Sequence, residues 1–328
     1  MPFGSTHLYL ALLFFATGCA QGIKTTHWSE QPLMRSKNNP IIYPNMSGLE
    51  GELGANINGP SVIKVPDWVP NPLGKYYMYF AHHHGQFIRL AYANHPEGPW
   101  EIYVPGTLKL QETACVGHIA SPDIIIDTSQ KTIRMYFHGP TANRKGQKTF
   151  VASSKDGILF SAHKEPLGLP YFRVFKYRKH YYAIGKRGTE TGVVFRSLDG
   201  LKDFEKGPDI IPRMRHAALV QDQNQLYIYY SRIGDTPERI LKSKVDLDTN
   251  SWQQWQASEA EEVLLPKKNY EGTDLPVKTS QNGAAKEPVH ELRDPAVLVD
   301  ETGHYLYYTV AGESGIAVAK FASNPKKH

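Results

Sequence analysis

Apolar and polar positions along this chain follow a unit that recurs five times. Each unit opens on a polar or small head followed by a short apolar run, and an aromatic-rich run comes soon after. The openings are Asn58-Gly59-Pro60-Ser61-Val62-Ile63, Ser121-Pro122-Asp123-Ile124-Ile125-Ile126, Tyr171-Phe172-Arg173-Val174-Phe175, Arg215-His216-Ala217-Ala218-Leu219-Val220 and Arg293-Asp294-Pro295-Ala296-Val297-Leu298. Their partners are Tyr76-Tyr77-Met78-Tyr79-Phe80, Ile133-Arg134-Met135-Tyr136-Phe137, Tyr181-Tyr182-Ala183-Ile184, Leu226-Tyr227-Ile228-Tyr229-Tyr230 and Tyr305-Leu306-Tyr307-Tyr308. A strand-pair unit returning every ~40–80 residues predicts an all-β, five-bladed β-propeller.

Each pair leads into a third apolar run: Ile88–Ala93, Thr149–Ser153, Gly192–Arg196, Ile240–Lys244 and Gly315–Ala319. Four of these continue into turns built on Gly98-Pro99-Trp100, Lys155-Asp156-Gly157, Leu198-Asp199-Gly200 and Asp246-Leu247-Asp248, which suit tight hairpins and a fourth, outer strand. The fifth unit has little chain left for such a strand, so part of residues 22–43 is expected to cover its edge. Residues 257–291 interrupt the rhythm and are expected to form a loop over the pocket.

Composition narrows the class. Nineteen tyrosines suit strands that are dry on one side and wet on the other. A net charge of +5 without a basic run gives no nucleic-acid footprint. Leu8 to Thr17 is nearly all apolar and too short to span a membrane. It runs into Ala16-Thr17-Gly18-Cys19, which resembles a bacterial lipoprotein signal in which Cys19 is acylated. The expected organisation is therefore a signal peptide over 1–19, a tether and lead-in over 20–45, and the propeller over 46–328. The chain is expected to be exported and lipid-anchored in a bacterial envelope. Acylation of Cys19 leaves Cys115 alone and predicts no structural disulfide.

Propeller topology selects the candidate site. The starts of the inner strands and the ends of the second strands line one mouth. The starts supply Asn58, His118, Asp123, Tyr171, Arg173, Arg215, His216, Arg293 and Asp294. The ends supply His82, His83, His84, His138, Arg187, Arg232, Asp235 and Glu313, and the long loop adds Glu271. Arginines aimed at one cavity predict an anionic ligand, because a guanidinium grips carboxylate or sulfate with two hydrogen bonds. Three consecutive histidines point in different directions, so His82, His83 and His84 do not predict a shared metal ion.

The Ser-Pro-Asp-Ile and Asp-Pro-Ala-Val openings, the triple-strand rhythm and the Ser-x-Asp-Gly turns resemble the five-bladed propeller glycosidases of glycoside hydrolase family 43 and relatives such as family 117. The resemblance covers roughly residues 57–321. It implies hydrolysis of a glycosidic bond by paired carboxylates, one protonating the leaving oxygen and one activating water. It implies no organic cofactor and allows a central hydrated cation such as calcium. Of the family's three carboxylates, the middle one carries over to Asp123. Gly59 stands where the first-blade Asp belongs and Pro170 where the third-blade Glu belongs. Asp294 then becomes the expected base. His216 becomes the expected acid, in keeping with the acid role given to a histidine in family 117.

The expected function is hydrolysis of an acidic (uronic or sulfated) oligo- or polysaccharide, with Asp123, Asp294 and His216 catalytic. Asn58, His83, His118, Tyr171, Arg173, Arg215, Arg232, Arg293 and Glu271 are the expected substrate contacts. A polysaccharide lyase using His, Tyr and Arg, or a non-catalytic glycan-binding lipoprotein, would use the same residues differently. One expectation is testable from the leader alone. Cys19→Ala should shift the protein from the membrane to the soluble fraction, since a Cys-linked diacylglycerol is the expected anchor. Unmutated protein that carries no lipid by mass spectrometry overturns the anchor.

Overall fold

The structure, a computed structural model, describes Met1, residues 27–142 and residues 146–322. Cys19 and the apolar leader lie outside the described residues. The strands form five four-stranded antiparallel sheets, the five-bladed propeller that the repeat predicts. Blade one comprises Asn58–Lys64, Tyr76–Ala81, Arg89–Ala93 and Glu101–Tyr103. Blade two comprises Ala120–Asp127, Thr132–Pro140, Gln147–Ser154 and Ser161–Ala162. Blade three comprises Arg173–Tyr177, His180–Arg187, Thr191–Ser197 and Glu205–Pro212. Blade four comprises Met214–Asp222, Gln225–Arg232, Ile240–Asp246 and Glu261–Leu264.

Blade five comprises Leu292–Asp300, Gly303–Val310 and Ile316–Phe321, and its outer strand comes from the other end of the chain. Leu33–Arg35 pairs antiparallel with Ile316–Phe321, Leu33 opposite Phe321. Ile42 and Ile57 add isolated bridges to Ile316 and Ser314. Residues of the expected lead-in thus close the ring.

There is no central core. Each pair of neighbouring blades has its own apolar layer, and strand periodicity divides one strand's side chains between two layers. In the second strand of blade one, Tyr76, Met78 and Phe80 pack toward blade five. Tyr77 and Tyr79 pack toward blade two. In blade five, Tyr305 and Tyr307 face blade one while Leu306 and Tyr308 face blade four. These strands are therefore dry on both sides, and the expected wet side is absent.

Three of the buried tyrosines satisfy their hydroxyls by reaching into the next blade. The Tyr79 hydroxyl donates to Gly157 O at 2.7 Å, Tyr136 to Gly200 O at 2.8 Å and Tyr307 to Pro96 O at 2.8 Å. Gly157 and Gly200 are the glycines of the Ser-x-Asp-Gly turns, at φ +76° and +72°. A β-carbon there would lie 2.7 Å from the Tyr79 hydroxyl or 2.9 Å from that of Tyr136, so the turn admits only glycine.

Two expectations need correction. The outer strand of blade four, Glu261–Leu264, lies inside the segment expected to be loop, so the excursion begins only after Leu264. Glu271 does not face the mouth. It is fully buried between the ring closure and blade five, where it accepts from Arg35 Nε at 2.6 Å and from the Tyr308 hydroxyl at 2.8 Å. It also accepts from the backbone N–H groups of Lys267 and Lys268.

Arg35 is thus the ionic rivet of the ring closure. Arg35→Ala leaves a buried carboxylate without its cation and should cost roughly 3–5 kcal/mol. Urea denaturation should show this as a lower midpoint. An unchanged midpoint would mean that strand pairing alone closes the ring.

Candidate functional site

Inner-strand heads from four blades, with second-strand ends and Tyr171 ahead of the blade-three strand, surround a small, narrow cavity. The first strand of each blade touches those of its neighbours, which brings residues from far apart in sequence onto one axis. The heads project inward because the ladder slips there. Pairing between first and second strands skips at Asn58/Ser61, Ala120/Asp123, Met214/Ala217 and Arg293/Ala296. Each slip leaves two residues outside the ladder, as in a β-bulge.

In three blades the extruded pair ends in proline: Gly59-Pro60, Ser121-Pro122 and Asp294-Pro295. Proline has no N–H to lose from the ladder. The residue before it sits in the left-handed region, at φ 59°, 49° and 46°. For Ser and Asp this conformation is strained, and such strain concentrates at functional sites. Tyr171, at the head of blade three, is left-handed as well, at φ 65°.

This register separates two aspartates that look alike in sequence. Asp294 occupies the left-handed, cavity-lining position equivalent to Gly59 and Ser121. Asp123 follows its proline and is the equivalent of Ser61. Ser61 Oγ accepts from Ile124 N at 3.0 Å in the next blade, and Asp123 Oδ2 accepts from Val174 N at 2.7 Å in the blade after. Asp123 therefore joins blades and does not line the cavity, contrary to its expected catalytic place. Burial pushes its carboxyl up, against the opposing pull of Arg173 and the Val174 N–H.

The innermost pair is His216–Asp294. His216 Nδ1 contacts Asp294 Oδ1, and Asp294 Oδ2 accepts from Gly59 N at 3.2 Å and the Thr309 hydroxyl at 3.4 Å. Burial opposes the Asp294 charge, but His216, Arg215 and Arg293 hold its carboxyl well below the usual carboxylate range. Burial pushes the His216 imidazole below its ordinary value even though Asp294 pulls the other way. The consistent state is an ionised Asp294 accepting from the Nδ1–H of a neutral His216. Its Nε2 is then free and lies 3.5 Å from Ser121 Oγ.

Tyr171 lies between two of these imidazoles, its ring centroid 4.0 Å from His138 and 4.5 Å from His216. Burial raises its phenol to about 12, so it stays protonated. Burial, aided by His216 and His118, pushes His138 well below the ordinary imidazole value.

A second histidine–carboxylate pair stands at the mouth. His83 Nδ1 lies 3.6 Å from Glu313 Oε2, and the His83 side chain is 27% exposed. Glu313 also accepts from Asn58 Nδ2 at 3.3 Å and Arg293 Nη1 at 3.1 Å. Burial opposes its charge, but His83 and Arg293 hold its carboxyl below the usual value. Sequence reasoning placed Glu313 on the rim without a role. Its pairing was not legible because the partners come from both ends of the ring.

The arginines are structural. Arg173 donates to Ala217 O at 2.8 Å and to Ser121 O and Pro122 O at 3.1 Å, joining three blades through backbone carbonyls. Arg293 is enclosed by Glu238, Glu291 and Glu313. Arg215 reaches the cavity wall but donates to Glu238 at 3.0 Å and to Gly283 O at 2.9 Å. Arg232 pairs with Asp235 away from the cavity. None of them offers a free guanidinium to a ligand in the axial cavity. Asn58, His83, His118, Tyr171, Arg215, His216 and Asp294 line that cavity, whereas Arg173, Arg232, Arg293, Glu271 and Asp123 do not.

The loop after Leu264 does reach the site. Gly283 O accepts from Arg215, and Asn282 Oδ1 accepts from Lys186 Nζ at 2.7 Å. Lys186 went unnoticed in the sequence beside Arg187, although strand alternation puts only one of the two inside. Arg187 pairs with Asp209 and Glu190 in solvent. The buried Lys186 lies 5.0 Å over the Tyr171 ring, and burial followed by Arg215 lowers its amine to about 8. Among the described residues, no group of His, Cys, Asp and Glu is arranged to hold a metal ion. Cys115 is a buried free thiol, pushed up to about 11 by burial.

Fold and site together define a five-bladed propeller with a small axial pocket walled by histidine–carboxylate pairs and tyrosine. The chain belongs to the same family as the uncharacterized protein R118 of Acanthamoeba polyphaga mimivirus, with which it is 37% identical over 324 residues, 88% of this chain and 90% of that protein. No family model matches the chain. Its fold is shared with the GH43_1 enzyme from Xanthomonas citri, at 16% identity and a TM-score of 0.57 over 83% of this chain and 90% of that one. It is also shared with an endo-1,4-beta-xylanase from Bacteroides thetaiotaomicron, at 14% identity and a TM-score of 0.58 over 83% and 93%.

The structural assignment of Arg173 can be checked. Arg173→Leu removes three hydrogen bonds to buried carbonyls and the cation beside Asp123. It should lower stability by about 3 kcal/mol or more in urea denaturation. Full stability with weakened sugar binding would return Arg173 to the ligand site.

Proposed function

We propose that the protein is a glycoside hydrolase that holds one sugar of an oligosaccharide in the axial cavity. The observation that carries this reading is the convergence of two histidine–carboxylate pairs, His216–Asp294 and His83–Glu313, on one small pocket in this fold. Glycosidic bond cleavage needs one group to activate water and another to protonate the leaving oxygen. The neighbours of known activity support a sugar. The GH43_1 enzyme of Xanthomonas citri has been solved with xylose and with xylotriose.

The geometry favours His216 as base, the reverse of the role expected from sequence. Both oxygens of Asp294 are engaged, so it serves to hold the imidazole through Nδ1 and to stabilise the imidazolium that forms. Nε2 takes the proton of a water molecule in the depth of the cavity. His83 stands at the half-exposed mouth, where it can deliver a proton to the departing oxygen and recover one from solvent. The Tyr171 ring, packed between His138 and His216, fixes the base. With the arginines neutralised inside the fold, the axial sugar is held by hydrogen bonds and ring contacts. An acid group on the substrate belongs on a neighbouring sugar. Export and lipid anchoring through Cys19 remain part of the proposal on the strength of the leader sequence.

A panel of neutral and acidic oligosaccharides tests the reaction. New reducing ends from the native protein, and none from His216→Ala, are expected. An unsaturated product absorbing in the ultraviolet would mean a lyase, and binding without product would mean a glycan-binding protein.

The roles predict a pH dependence. A base must be neutral, so kcat/KM should fall on the acid side through a pKa below 6.5, the ordinary imidazole value from which His216 is lowered. Asp294→Asn removes the charge that favours the imidazolium, so the acid limb should move to lower pH while the rate drops by ~10²–10⁴. Activity that instead increases as pH falls through that region would make His216 the acid.

A further inference from the structure

The axial cavity has an open side. Its walls on blades four and five are dry, with His216 8%, Arg215 4%, Asp294 2% and Glu313 6% exposed. The loop bearing Asn282 and Gly283 is tied down beside them through Lys186 and Arg215. The half-buried wall residues are His83 on blade one, His118 and Gln147 beside blade two, and Tyr171. A substrate chain entering the cavity must therefore leave over blades one and two.

On that side lies a second hollow, roomier than the axial cavity, lined by Glu52, Leu53, His82, His84, Phe87 and Arg89. It adjoins the mouth. The His84 ring lies 5.7 Å from that of His83 and 6.3 Å from that of His118. Phe87 is partly exposed and Leu53 is 39% exposed, so the hollow offers an apolar floor.

Arg89 is the feature of this hollow that the fold does not use up. Its guanidinium is 3% exposed and donates only to backbone carbonyls, Leu53 O at 2.5 Å, Asn56 O at 2.8 Å and Ala81 O. Its Nε, shielded from solvent, has no hydrogen-bond partner, and the guanidinium carbon lies 4.5 Å over the Phe80 ring. Among the described residues no carboxylate pairs with it, in contrast to Arg215 and Arg293. Burial without a neighbouring negative charge pushes it down to about 9. An unpaired buried cation with a free donor favours an anion supplied from outside.

We propose that this hollow is the subsite for the sugar following the one in the axial cavity, and that it takes a uronate whose carboxylate is drawn to the unpaired Arg89 cation while the ring rests on Phe87. The assignment rests on reading the axial cavity as a sugar site. His83, the expected proton donor to the leaving oxygen, stands between the two hollows. The uronate is then the part that departs.

Calorimetric titration in the His216→Ala background, where turnover cannot blur binding, tests this with D-glucuronate, D-galacturonate and D-mannuronate against glucose, galactose and mannose. At least one uronate should bind about tenfold or more tighter than its neutral counterpart. Arg89→Gln and Phe87→Ala should each remove most of that preference or affinity. Glu52→Gln should strengthen uronate binding by removing a like charge from the rim. Arg89 also braces three carbonyls, so Phe87→Ala and Glu52→Gln carry the test if Arg89→Gln does not fold. Equal affinity for every uronate and its neutral sugar, or affinities indifferent to Phe87→Ala and Glu52→Gln, overturns the subsite. Failure of the hydrolase reading would appear separately, as uronate binding intact in a protein that releases no reducing ends.

Discussion

The constraint on which the site depends is the pairing of buried charge around Arg293. A propeller axis collects the polar heads of its inner strands in a place with little water. There an unpaired ion is costly, so each charge needs a partner. Arg293 faces Glu238 from blade four, Glu291 from its own approach and Glu313 from the turn of blade five. Glu238 in turn holds Arg215. Burial pushes the Glu291 carboxyl up to about 7, against the pull of Arg293. The cluster fixes Glu313 and helps keep the adjacent Asp294 ionised, and those two carboxylates are the ones that meet the histidines. Arginines that look like ligand contacts in sequence are thus the means by which carboxylates can be buried at all.

The fold was legible because its signal is repeated and local. Apolar strand runs and aromatic-rich second strands each reflect one physical demand met once per blade, and two blades add an Asp-Gly turn. Even the closing strand was foreseeable, because a fifth blade without an outer strand leaves an edge that must be covered. The site was only partly legible. Topology brought Asn58, His83, His118, Tyr171, His216 and Asp294 to one cavity, since inner-strand heads and second-strand ends share one face. It did not distinguish Asp123 from Asp294. Both flank a proline, but one follows it and returns to the ladder, while the other precedes it in the left-handed region and points out of it. A two-residue offset around the bulge proline decides between a joint and a cavity-lining group, and its mark in the sequence is the side of the proline on which the aspartate stands. Nor could it show that Arg173 would spend its donors on backbone carbonyls while Arg89, an unremarked strand residue, would keep one free.

On the proposed reading, two histidine–carboxylate pairs take the place of the carboxylate layout of the glycosidases that the sequence resembles. Gly59 leaves the first-blade position empty of side chain, and its N–H turns to the Asp294 carboxylate instead. A carboxylate held by a backbone donor, a threonine and an imidazole is too well solvated by the protein to be a strong base itself. Passing the task to the imidazole puts the proton-accepting atom on a neutral group, which a dry cavity tolerates better than a second exposed anion. Burial then sets the base's pKa from below and Asp294 from above, two opposing effects on one ring. The mouth pair differs in exposure rather than in kind. Glu313 is buried like Asp294, but the His83 side chain is open to water. Depth along the axis, more than residue type, therefore distinguishes the two pairs: His216–Asp294 is buried, while His83–Glu313 meets solvent through His83.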